Sequence, residues 1–163
     1  SRWAHFREMF GGPASKKIIG FDVFGSFPST NYKDDNKKLN KFISSAGDQS
    51  IGLEQLNKIL ENKNLNSKIE LIKGDINKTV PDYINKNPEL KISLLNLDTD
   101  IYEPAVTILN HLFPRIVKGG ILILDDYGVF PGETKAVDEY FEDKDVEIAK
   151  FPYAMTPSYI IKK

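Results

Sequence analysis

Strand-like and helix-like segments alternate along this chain, and each of the first four strand-like segments exits on an acid. The segments are KKIIGFDVF, KIELIKGDI, KISLLNLD and ILILDD, and the acids are Asp22, Asp75, Asp98 and the pair Asp125-Asp126. KISLLNLD is apolar toward both faces, the pattern of an interior strand in a parallel sheet covered by helices on each side. Such strands alternating with amphipathic helices predict an α/β chain with a doubly wound, mostly parallel sheet. Ligands of such sheets bind beyond the carboxyl ends of the strands, so these acids stand on the functional rim.

Between the strands, residues 3–10 read as the end of a helix closed by Gly11-Gly12-Pro13. Leu53, Leu56, Ile59 and Leu60 share one face of a helix over 52–62. Thr79 and Pro81 mark the start of a short helix, VPDYINKN. Ala105, Ile108, Leu109, Leu112, Phe113 and Ile116 recur at helical spacing and predict a helix ended by Lys118-Gly119-Gly120. GETKAVDEYFED is a further amphipathic helix. VEIAKF and SYIIKK, separated only by PYAMTP, are too close for a helical crossover and should pair antiparallel. Pro28 to Asp48 shows little periodicity and reads as a long surface loop, of the kind that forms lids, with one helical turn over Leu39–Ile43. The 163 residues suit a single domain, 1–163.

The 22 Lys and Arg balance 23 Asp and Glu, which argues against a nucleic-acid track. No apolar run approaches the roughly 20 residues of a membrane span, and SRWAHFREMF is neither a signal nor a transit peptide, so a cytoplasmic protein is expected. The chain has no cysteine, which removes disulfides, thiolate metal sites and cysteine nucleophiles together. Any metal must therefore bind oxygen or histidine.

The acids divide by role. Asp22, after an early strand, suits hydrogen bonds from the two hydroxyls of a ribose. Asp98 and Asp125-Asp126 would converge from neighbouring strands, and carboxylates that close repel one another unless a cation neutralises them. An all-oxygen set of this kind describes Mg²⁺ or Mn²⁺. The alternative is that Asp126 caps the following turn and Asp100 caps the helix near Glu103-Pro104, leaving two acids for a site. His5 and His111 have no second histidine at metal spacing, and Trp3 and Met155 read as packing residues.

From Lys17 onward the chain resembles the macrocin O-methyltransferase family, on the segments IIGFDVFGSFP, LLNLDTDIYEPAVTILNHLFPRIVKGGILILDDYG and PGETKAVDEYF. LDTDIYEPA joined to LDDYG at this spacing is the specific part. The resemblance implies a Rossmann-like fold and transfer of a methyl group from S-adenosylmethionine to a hydroxyl of a sugar or glycoside. It also implies metal binding at Asp98, Asp125 and Asp126, a ribose contact at Asp22, and adenine contacts at Asp75 and Ile76. Asp98 would lie beside both metal and methyl donor, which makes it the first candidate proton acceptor, with Asp100 second. Lys135 either orients substrate or is a solvated helix lysine. Metal-dependent catechol methyltransferases are similar, but Ile101 stands where they carry a lysine. The first strand and its Gly-rich turn do not appear, so the four strands are expected to lie parallel in one sheet with a fault between IIGFD and LLNLD. Exposed strand edges there favour a homo-oligomer. The competing readings are a hydroxylase on a related fold, which lacks a histidine-carboxylate iron triad here, and a noncatalytic methyltransferase-like binding module.

Overall fold

A computed structural model describes residues 2–11, 16–47 and 49–163. In chain order the elements are α1 (Arg2–Phe10), β1 (Ile18–Asp22), α2 (Lys33–Ala46), α3 (Leu53–Asn62), β2 (Ile69–Lys73) and α4 (Ile76–Lys86). They continue with β3 (Ile92–Leu97), α5 (Tyr102–His111), a 3₁₀ turn (Phe113–Arg115), β4 (Ile116–Leu124), α6 (Pro131–Phe141), β5 (Ala149–Lys150) and β6 (Ser158–Ile161). The chain forms two compact units, Ser1–Pro28 with Asp48–Asp75, and Ser29–Gly47 with Ile76–Lys163. None of the described helices is long and apolar enough to cross a membrane.

In the first unit β1 and β2 pair in parallel, Ile18 opposite Ile69 through Asp22 opposite Lys73. Ala4 of α1 and Leu60 of α3 meet Leu65 in its core, packed by Ile18, Leu56, Ile69 and Leu71. Gly11 closes α1 by donating its N–H to Arg7 O, while the Gly12-Pro13 part of the expected stop lies outside the described residues.

The second unit holds a four-stranded sheet in the order β3-β4-β6-β5. β3 and β4 are parallel, and β6 runs antiparallel to both β4 and β5, as the short PYAMTP connection requires. Leu97, Leu109, Leu122, Leu124, Val137 and Ile160 are buried almost completely and form its core.

The α/β class, the parallel pairs and the antiparallel C-terminal hairpin are as expected. The strands fall into two sheets instead of one, with the IIGFD strand β1 in one and the LLNLD strand β3 in the other, so the expected fault separates these two strands. Among the described residues β1 pairs only with β2, and β3 only with β4, so no strand links the two ladders.

Local boundaries also move. The stretch read as a loop carries α2, whose first turn holds Asp34 and Asp35 and whose end is set by Gly47 at φ 92°. Asp48, the end of the expected lid, lies outside the described residues. α4 begins three residues before Thr79 and runs through Pro81. The expected long helix stops at His111, because Pro114 lacks the N–H a helix needs and disfavours helical geometry at Phe113. Lys118-Gly119-Gly120 therefore belongs to β4 and not to a helix end. A Cβ on Gly120 would stand 2.6 Å from Ile116 Cγ2 and 2.9 Å from Val117 O, so no other residue fits there without a shift. β5 pairs over only two residues, shorter than VEIAKF suggested.

Candidate functional site

The site is built where β3 and β4 stop pairing. Leu97 faces Leu124 in the ladder, and Asp125 N–H donates to Leu97 O at 3.0 Å as its last rung. Beyond this rung Asp98 leaves β3, and Asp125 and Asp126 leave β4. One carboxylate oxygen from each of these three residues lies within 4.8 Å of the others, with Asp98 exposed and the pair half-buried. Metal–oxygen distances of about 2.0–2.6 Å place ligand oxygens up to roughly 4–5 Å apart, so this donor set fits one hard divalent cation. It is the only such group of potential ligands among the described residues.

Asp100 sits beside this cluster at φ 61°, a left-handed conformation that Asp tolerates better than most residues. Burial, a hydrogen bond with Asp126 and the charges of Asp126, Asp98 and Asp125 push its carboxyl up to about 7. Burial and the Asp125 charge raise Asp126 as well, opposed by its bond with Asp100 and by the Lys38 ammonium. Asp100 and Asp126 are thus hydrogen-bonded carboxyls that both titrate above the ordinary range, and Asp100 does not cap α5, whose N-cap residue is Ile101.

Three further carboxylates organise this region. Glu133, in the first turn of α6 and fully buried, accepts the Asp126 N–H at 3.0 Å and the Thr99 N–H at 3.4 Å. Burial raises it to about 8, although both N–H bonds oppose the shift. Asp35 of α2, also fully buried, accepts the Tyr102 N–H at 2.9 Å and the Gly132 N–H at 2.7 Å, at the starts of α5 and α6. Glu103 accepts from the Thr30 hydroxyl and the Asn31 N–H, each at 2.8 Å. Sequence reading missed all three. Glu133 stood within a family-like segment, but Asp35 lay in an apparent loop and gave no signal.

The expected cofactor residues are placed separately. Asp22 closes β1, and its Oδ1 accepts the Phe24 N–H at 2.5 Å, which holds the turn after the strand. Asp75 directly precedes α4, and Ile76 is the first residue of that helix. Ile101 is buried at 2% exposure, so it brings no charge to the acids. Lys135 lines an open cleft of about 560 Å³ with Tyr32, Phe130 and Glu139. It pairs with Glu139 and lies 5.8 Å and 5.4 Å from the Tyr32 and Tyr102 ring centres.

A family model described as Macrocin-O-methyltransferase (TylF) matches residues 10–151. Demethyldecarbamoylnovobiocin O-methyltransferase of Streptomyces niveus is 30% identical over 107 residues, 58% of this chain and 39% of the relative. Mycinamicin III 3''-O-methyltransferase of Micromonospora griseorubida is 32% identical over 76 residues, 47% of this chain and 28% of the relative. Each match thus spans less than half of the curated relative. Among solved structures, the O-methyltransferase NovP superposes with TM-score 0.82 at 22% identity, over 98% of this chain and 66% of that one. The calicheamicin methyltransferase CalS11 gives 0.78 at 24% identity, over 98% and 65%. At these identities the structural likeness speaks for the fold alone.

Proposed function

From the premise that the chain belongs to the macrocin-O-methyltransferase family, we propose that it transfers a methyl group from S-adenosylmethionine to a hydroxyl of a sugar or sugar-bearing small molecule. The observation that carries this reading is the convergence of Asp98, Asp125 and Asp126 at the ends of two parallel strands. The names of the relatives supply the substrate class, since they include methyltransferases of mycinamicin III and of a rhamnosyl-tetracenomycin.

Asp98, Asp125 and Asp126 would hold Mg²⁺ or Mn²⁺. Such a cation supplies Lewis-acid stabilisation that lowers the pKa of a nearby hydroxyl. Asp98 is the exposed member and is assigned as proton acceptor. Asp100 stands beside these acids, its carboxyl pushed up to about 7, and is assigned as the second candidate base. S-adenosylmethionine, when bound, would supply a methyl group activated by its sulfonium for a hydroxyl oxygen to take, with S-adenosylhomocysteine as the leaving group. Asp98 would accept the hydroxyl proton. Asp22 is assigned to the cofactor ribose, Asp75 and Ile76 to adenine, and Asp98 to the methyl-donor side. The two units together are read as one cytoplasmic methyltransferase domain without nucleic-acid or membrane partners.

The test is Asp125→Ala assayed for methyl transfer with and without added Mg²⁺. Loss of the metal-stimulated rate is expected. Turnover that persists unchanged in chelator would remove the metal from the reaction.

A further inference from the structure

Among the described residues, Glu133 is the one buried carboxylate outside the candidate ligand set with hydrogen bonds to both loops that carry the ligands. The β3–β4 ladder ends with the Asp125 N–H bonded to Leu97 O. After that rung Thr99 N–H, next to Asp98, and Asp126 N–H both donate to the one Glu133 carboxylate. A carboxyl group presents one oxygen to each of the two amides, so it can take both at once.

Glu133 is the third residue of α6, where a glutamate commonly turns back to the N–H of its own N-cap residue. It does not do so here. The N-cap is Phe130, and its N–H donates instead to Asp126 O at 2.9 Å. The side chain is thereby left to reach the two strand exits, inside a site where it has no exposure. Outer partners of metal ligands orient those ligands, and Glu133 would do so through the backbone amides at and beside them.

We propose that Glu133 is a positioning residue for the metal centre: its carboxyl group bridges the exits of β3 and β4 and so sets the separation of Asp98 from Asp125 and Asp126. This rests on the metal reading given above. Glu133 itself touches neither metal nor substrate in this assignment.

Glu133→Gln keeps the size of the side chain but replaces one acceptor by an NH₂ group, which must face one of the two amides donor to donor. Mn²⁺ binding followed by electron paramagnetic resonance, on the full chain, measures the consequence without requiring turnover. Loss of such a supporting partner is expected to weaken Mn²⁺ about 10- to 100-fold. Amide exchange at Thr99 and Asp126, measured without metal, should accelerate in the same variant. Glu133→Asp, which keeps the carboxyl group but is too short to span both amides, should also bind weakly, and this separates reach from the identity of the acceptor group. Each variant is compared below its own unfolding transition. Unaltered Mn²⁺ affinity in folded Glu133→Gln, or unaltered protection at both amides, would overturn the inference. Failure of the unsubstituted chain to bind Mn²⁺ would overturn the metal reading and this assignment with it, whereas Mn²⁺ binding that Glu133→Gln leaves intact would overturn this assignment alone.

Discussion

Removing the Asp35 carboxylate should destabilise the second unit even though the residue lies in none of its strands. The carboxylate takes one N–H from the start of α5 and one from the start of α6, and Asp35→Ala leaves both donors buried without an acceptor. Each orphaned buried N–H costs about 1–3 kcal/mol, and the relief of burying a charge offsets part of the sum, so about 2–4 kcal/mol is expected at neutral pH. Gly132→Ala should act through the same bonds. Its Cβ would stand 2.0 Å from Asp35 Oδ2, and the carboxylate can yield only by leaving its two donors. In an Asp35→Ala background that clash is gone. The double variant should therefore be less destabilised than the two singles added together, by about 2 kcal/mol in the cycle.

The pH dependence of the Asp35 contribution has a defined sign. Burial raises the Asp35 carboxyl above its ordinary value, against the pull of the Tyr102 and Gly132 N–H groups, with Glu103 and Asp34 adding to the rise. A raised folded-state value means that the contribution is full below the unfolded value and declines as pH rises through the folded one. The deficit of Asp35→Asn relative to the unsubstituted chain should therefore be largest in acid and narrow toward neutrality. Urea unfolding followed by circular dichroism gives each of these differences. Stability of Asp35→Ala within about 0.5 kcal/mol of the parent, or strict additivity in the cycle, would refute the clamp.

Other substitutions probe the sheet and the cleft. Gly120→Ala should cost about 1–3 kcal/mol by urea unfolding, because Ile116 and the Val117 carbonyl leave no room for a methyl group. Ile160→Ala should cost about 2–5 kcal/mol, since Ile160 is 1% exposed and pairs with Leu122 in the middle of the β4–β6 ladder. Lys135→Ala should leave the urea midpoint in place, because its partner Glu139 is likewise solvated. A raised KM with unchanged stability would assign Lys135 to substrate, and an unchanged KM would assign it to the helix surface.

The strands and their terminal acids were legible in the sequence because both depend on short-range pattern. A strand buried on both faces must be apolar throughout, and the residue that follows it is fixed by chain order. Asp98 and Asp125-Asp126 thus fall on one rim by chain order alone, and β3 and β4 do end there as adjacent parallel strands. The PYAMTP connection likewise fixed the antiparallel hairpin, since no crossover fits in it.

Other features depended on partners far away in the chain. α2 reads as loop because its sequence is polar, and it is held instead by contacts that no local window contains: Asp35 bonds residues 67 and 97 positions further on. The fault expected between the IIGFD and LLNLD strands is found, β1 lying in one sheet and β3 in another, whereas which edges on either side of it find partners was not legible in strand composition. Glu133 shows the limit most plainly. Its place in the first turn of a helix was readable, but a glutamate there has a local partner by default. Only the tertiary structure, by giving Phe130 N–H to Asp126 O and bringing two strand exits beneath α6, turned its carboxylate toward Thr99 and Asp126.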